Sequence, residues 1–204
     1  MEFGSGRGRR MVIGLSRLRE VSSVRVPFKR EPPPQGPACP AIQNRACATG
    51  APDPLRKTGI RVIGDMPWGA HIWIFYETKD DLLDTAASYF GAGLNSNEFC
   101  VWAISDPVNE ADAENALRRA APDFDRHLAE GRIELLRGTE GYLKGDQFDP
   151  KRITSGWSEK LHGALAKGYA GMRVSGNAFW IETSHWKAFC EYELNSIVHW
   201  LARK

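Results

Sequence analysis

Four groups of side chains carry enough chemistry to be weighed as parts of a site. They are Arg173 inside a short apolar stretch, His71 and Cys100 in apolar runs, the acidic turn Glu77 to Asp81, and the polar or aromatic residues that follow each apolar run. A guanidinium within an apolar strand must be paired, because an unpaired buried charge is expensive. Glu193 or Glu182 is expected to supply the carboxylate, giving either a structural ion pair or an anchor for a ligand. His71 is expected to bond to backbone or to hold a ligand, and Cys100 to act as a small hydrophobe or as a thiolate neighbour of His71 across the sheet. Two such side chains fall short of a four-ligand zinc site, and His127, His162, His185 and His199 fall by pattern on helix surfaces, so no metal is expected. No Ser-His-Asp order with a nucleophile elbow and no carboxylate pair for acid–base work is visible. The chain therefore reads as non-enzymatic and without a cofactor.

The acidic turn bears on nucleotide chemistry. A phosphate-binding loop needs a glycine-rich turn ending in Gly-Lys-Ser/Thr directly after a strand, so that backbone N–H groups and the lysine hold the phosphates. After the first strong apolar run this chain reads Glu77-Thr-Lys-Asp-Asp-Leu82, with no glycine and three acidic groups. Phosphate would be repelled, which argues against nucleotide hydrolysis.

These residues must be positioned by alternating strands and helices. His71 to Tyr76 reads as a first strand, apolar on both faces as a central parallel strand is. Thr78 with Asp81 makes a capping-box start for a helix whose stripe runs through Leu82, Leu83, Ala86, Ala87, Phe90 and Leu94 and ends around Gly91 and Gly93. Phe99 to Ile104 is a second strand. Asp106 and Pro107 then suit a cap and first helical position for a helix with Ala113, Ala116, Leu117 and Ala120 on one face. A short helix over 123–129, a third strand over 133–136 and an irregular loop over 138–149 follow. Asp149-Pro150 opens a helix with Ile153, Trp157, Leu161 and Leu165 at four-residue spacing. Residues 172–175 make a short fourth strand, and 187–202 a last helix.

Such alternation predicts a parallel sheet covered by helices, and in open parallel sheets ligands bind beyond the carboxyl ends of the strands. That rule selects Tyr76 and Glu77 after the first strand, Ser105 and Asp106 after the second, Glu140 and Tyr142 after the third, and Asn177 and Trp180 after the fourth. Each could instead cap a helix or close a loop, as Thr78 and Asp106 are expected to do.

The first 60 residues carry a net charge of +7 against −5 for the remaining 144. With Pro32, Pro33, Pro34, Pro37, Pro40, Pro52 and Pro54, the stretch 1–65 reads as a disordered basic leader, proline density opposing both helix and central strand. Met11 to Leu18 contains Gly14, Ser16 and Arg17 and does not resemble a signal peptide's apolar stretch. Seven tryptophans could suggest base stacking, but Trp73, Trp102 and Trp157 fall in core-facing patterns. The net acidic folded part also argues against nucleic-acid binding. The longest apolar stretch of that part, Ile72 to Tyr76, is too short to cross a bilayer. Four cysteines without paired spacing fit a reducing, cytoplasmic setting.

Over residues 69 to 201 the chain resembles the methanogen/methylotroph sensory (MEDS) family. The resemblance rests on His71-Ile-x-x-Phe75-Tyr76, Gly93-Leu94, Cys100-Val101, Gly131-Arg-Ile-Glu134 and Tyr142-x-x-x-Gly145-x-Phe148-Asp149-Pro150. It continues through Gly168-Tyr-x-Gly171-x-Arg173-Val-x-Gly176 with Trp180, and Tyr192-Glu193-x-Asn195. It implies a three-layer α/β sandwich with a RecA/KaiC-like, mostly parallel sheet over 66–204, lacking the phosphate loop and used for sensing. It also implies small hydrocarbon derivatives as ligands and a separate histidine kinase or transcription regulator as partner. Two departures stand out. Gly176-Asn177-Ala178-Phe179-Trp180 stands where members commonly have Gly-Glu-Met-x-Trp. The chain also stops at Lys204 where members usually continue into another strand, which would leave the sheet one edge strand short. A protein-interaction module without a ligand, or a remnant of a longer sensor kinase, is the alternative expectation.

Overall fold

Every residue of Phe99–Ile104 is buried, and its alternate side chains enter two different cores. Cys100, Trp102 and Ile104 join one cluster, and Phe99, Val101 and Ala103 the other. A strand buried on both faces must lie inside a sheet with helices above and below, and the rest of the architecture follows from it.

The computed structural model describes residues 11–18, 55–137, 143–144, 147–177 and 187–193. In chain order these form β1 (Met11–Leu18), β2 (Arg56–Lys57), β3 (Asp65–Met66), β4 (His71–Tyr76), α1 (Lys79–Leu94), β5 (Phe99–Ile104), α2 (Glu110–Ala120) and α3 (Phe124–Ala129). Then come β6 (Ile133–Arg137), β7 (Leu143–Lys144), β8 (Gln147–Phe148), α4 (Pro150–Ala166) and β9 (Met172–Asn177), with a further helix α5 over 187–193. The main sheet has the order β4-β1-β9-β5-β6. Strands β9, β5 and β6 are parallel, while β1 is antiparallel to both β4 and β9. Strand β4 therefore runs with the other three.

One core holds β4, β5 and β6 against α1, α2 and α3 through Phe90, Trp102, Leu117 and Phe124. The other holds β5 and β9 against α4 and α5 through Val101, Trp157, Leu161, Met172, Phe189 and Tyr192. The fold is thus a mixed α/β sandwich of three layers, as the alternation predicts.

Six details differ from the sequence reading. Residues 11–18 were expected in the disordered leader, but β1 lies in the middle of the sheet. It precedes the proline-dense stretch, so the argument from proline never applied to it. Arg56–Lys57 and Asp65–Met66 likewise pair. Among the described residues strand β4 lies at an edge of the sheet and not in its centre: Trp73 and Phe75, on the face away from α1, are 38% and 65% exposed, which also removes Trp73 from the core. Helix α1 does not end at Gly91 and Gly93 but runs through them. A Cβ at Gly93 would lie 2.6 Å from Arg173 Cδ, and one at Gly91 would lie 3.3 Å from the Ala120 carbonyl oxygen, so both glycines permit close approach. Helix α2 begins at Glu110, capped by Asn109 with Asp112 in a capping box, and Asp106-Pro107 lies in the turn before it. Finally, β7 and β8 pair within the expected loop. The last predicted helix is present over 187–193, and its remainder lies outside the described residues.

Candidate functional site

The carboxyl ends of β4, β5, β6 and β9 share one edge of the sheet. Strand β5 continues into α2 on one face, while its neighbours β6 and β9 lead to α4 and α5 on the other. Connections that part on either side of a strand open a crevice over its end, here over Ile104 to Asp106. Tyr76 ends β4 with its side chain buried against α1, and Glu77 is exposed beside it. Asn177 ends β9. Glu140, Tyr142 and Trp180 lie outside the described residues.

Among the described residues α1, α2 and α4 begin at this edge, and each closes its own N-terminus. Such ends carry unpaired N–H groups and a partial positive charge that make natural anion sites. At α1, Thr78 Oγ1 accepts from the Asp81 N–H at 3.1 Å, and Asp81 Oδ2 accepts from the Thr78 N–H at 2.9 Å. At α2, Asn109 and Asp112 do the same. At α4, Asp149 Oδ1 accepts from the N–H groups of Lys151 and Arg152. The hydrogen bond with the Thr78 side chain, then that with its backbone, holds Asp81 below the usual carboxylate range. A hydrogen bond from Lys79, then the Asn109 backbone, does so for Asp112. Both remain ionised at neutral pH. Where a phosphate loop would bare amide donors, this chain already has carboxylates on them.

The opposite edge holds the most buried charge in the described residues. Arg173 is fully buried, and all five of its N–H donors are directed at acceptors. Nε and Nη2 reach the two carboxylate oxygens of Glu98, Nη1 reaches the Thr58 and Tyr89 carbonyls, and Nη2 also reaches the Lys57 carbonyl at 2.7 Å. Its guanidinium lies 4.8 Å from the Tyr89 ring centroid, close enough for a cation–π contact. Glu98, itself buried, takes a second guanidinium from Arg56 at 3.0 Å. Arg56 in turn lies over Trp68 and donates to the Ser96 carbonyl.

The expected partners of Arg173 are therefore corrected. Glu98 holds it, Glu182 lies outside the described residues, and Glu193 on α5 stands 3.2 Å from His71 Nε2. Glu98 was missed because it lies just before β5, outside the apolar run, and only the parallel register that sets Cys100 beside Arg173 brings it within reach. Lys57 and Thr58 were missed because they were assigned to the leader.

His71 opens β4, with its ring 5.4 Å from that of Trp73. Cys100 is buried near the Glu98 and Phe90 carbonyls. Two strands separate them, a span of about 14 Å at the usual strand spacing, so they do not form a pair. His127, expected on a surface, is buried, with Nδ1 3.2 Å from Arg132 Nη1. Burial, then the charges of Arg132 and Arg126, lowers its pKa from 6.5. No group of three or more potential metal ligands occurs among the described residues, and no helix among them is long and apolar enough to cross a membrane. A half-open depression of about 480 Å³ lies between α1 and the end of α2, lined by Lys57, Ser88, Gly91, Ala92, Asn95, Ser96 and Ala120. It adjoins the arginine cluster and not the carboxyl edge.

Comparison with protein families shows that the model for the MEthanogen/methylotroph, DcmR Sensory domain fits residues 70–197. Searches of curated proteins and of solved structures return no match.

Proposed function

Because the chain belongs to the MEDS family of sensory domains, we propose that it is a small-molecule sensory module, whose ligand binds at the carboxyl edge of the sheet and alters contacts with a separate signalling protein. The family match is the observation that carries this reading. The edge supports an uncharged ligand, since Asp81, Asp112 and Asp149 on the helix ends disfavour an anion, and the ligand class is the one the family resemblance implies. Small hydrocarbon derivatives meet that requirement. Tyr76, Glu77, Glu140, Tyr142, Asn177 and Trp180 are the residues proposed to line the site. Arg173 contributes to the frame, since its donors are committed elsewhere. In this reading the sheet serves as a RecA/KaiC-like core without phosphate chemistry or turnover. The partner is a histidine kinase or a transcription regulator, and the setting is cytoplasmic, in keeping with the free thiols of Cys100 and Cys190.

The test is a thermal-shift screen of the whole chain against small halogenated and methylated compounds, with ATP–magnesium alongside and Trp180→Ala as control. A ligand at one hundred times its dissociation constant stabilises by about 2.7 kcal/mol through mass action. The expected result is a rise in Tm with an apolar compound that Trp180→Ala abolishes. A rise with ATP–magnesium alone overturns the reading. A second reading, a protein-interaction module that takes no ligand, is favoured by the exposed Trp73 and Phe75 on edge strand β4, since sheet edges recruit further strands.

A further inference from the structure

The main sheet contains one strand that does not belong to its local run of chain. Strand β1 arrives from residues 11–18, outside the family match that begins at residue 70, and among the described residues it is the one antiparallel member of the sheet. Without it β4 would have no strand partner among the described residues, and β9 would be an edge. The position between β4 and β9 is therefore a slot for an extended segment, with backbone donors and acceptors on both sides.

Along β4 the register sets Val12 opposite Phe75 and Ile13 opposite Ile74, and along β9 it sets Leu15 opposite Ser175 and Leu18 opposite Met172. Both walls offer main-chain donors and acceptors, which any chain in extended conformation can pair. Residues 19–54 join β1 to β2, a connection that can reach at most about 120 Å when extended. That reach exceeds the roughly 40 Å breadth of a domain of this size, so a neighbouring molecule's slot is within range.

We propose that the slot between β4 and β9 is a strand-acceptor site, and that two copies of this chain exchange residues 11–18 reciprocally to form a dimer. Exchange conserves every ladder hydrogen bond and alters only which copy provides the strand, the condition under which swapping is a low-cost route to dimers. The arm is then the device that links association of two copies to completion of the sheet.

Two full-length chains, one with Val12→Cys and the other with Phe75→Cys, are mixed at high concentration and oxidised, and the linked peptides are identified by mass. Ile13→Cys with Ile74→Cys provides the second pair, because adjacent antiparallel pairs alternate between wide and close spacing and only suitable spacing accepts a disulfide. Chains carrying both cysteines of a pair report docking within one molecule. The expected result is a 12–75 or 13–74 link between the two different chains, together with a dimer that increases with concentration in sedimentation. Links that form only in the doubly substituted chains, with no link between mixed chains and a monomer at every concentration, overturn exchange. Absence of any link at either pair overturns the slot itself. Neither outcome bears on the ligand screen, which reads the carboxyl edge.

Discussion

At the amino edge of the sheet a guanidinium lies fully buried with all five donors committed, whereas at the carboxyl edge the charges of Asp81, Asp112 and Asp149 stand at the surface and each closes a helix. The first arrangement tolerates no loss, because removing one partner leaves a charge in a medium that cannot solvate it. The second loses a local cap while water replaces the missing bond. One edge therefore holds the layers together, and the other is where the proposed ligand would bind.

The largest effect that tests this contrast is Glu98→Ala. It leaves Arg173 without its carboxylate, and a loss of about 3–5 kcal/mol in denaturant unfolding is expected. The Glu98→Ala/Arg173→Ala double variant should cost less than the two single losses combined, since the second change removes the stranded charge. Equal additivity would show that the pair does not act as a unit. Gly93→Ala is next, at about 1–3 kcal/mol, because its methyl group would meet Arg173 Cδ and Cys100 Sγ. At the opposite edge Thr78→Ala should cost about 1 kcal/mol, the usual loss of a helix cap. A loss there as large as that of Glu98→Ala would dissolve the contrast.

The smallest effect concerns pH. His127 is held below its ordinary 6.5 by burial and by Arg132 and Arg126. As pH falls through 6.5 the unfolded chain takes up a proton before the folded one does. Its contribution to stability is present above that pH and is lost progressively until the lower folded value is reached. His127→Gln should flatten the decline in unfolding free energy between about pH 7 and 5. A decline unchanged in the variant would assign it to other groups.

Much of the layer structure was legible because it is local. The Thr78-x-x-Asp81 capping box, the apolar run of β5, and Ile153, Trp157 and Leu161 on α4 each announce themselves through spacing, and each is present. The buried ion pair was legible only by half. Arg173 signalled the need for a carboxylate, but Glu193, close to it in sequence, goes to His71, and Glu98, 75 residues away, is the one the sheet delivers. The helical glycines misled because a glycine that permits contact looks the same in sequence as one that ends a helix. At the candidate site, Tyr76 and Glu77 lie on the expected edge, and so does Asn177 as the last residue of β9. Which strands their neighbours would be was not readable.

What the sequence determined by itself is therefore what depends on a single turn or strand: where elements begin, which face of each is apolar, that no glycine-rich phosphate loop follows β4, and to which family the pattern belongs. Only the tertiary structure decided that residues 11–18 complete the sheet, that β4 lies at its edge, and that Glu98, Arg56 and the carbonyls of Lys57 and Thr58 surround Arg173. The physical reason is the range of the interactions. Caps and periodicity act over three or four residues, while strand order and the pairing of a buried charge are settled by which distant segments can satisfy backbone and guanidinium donors at once.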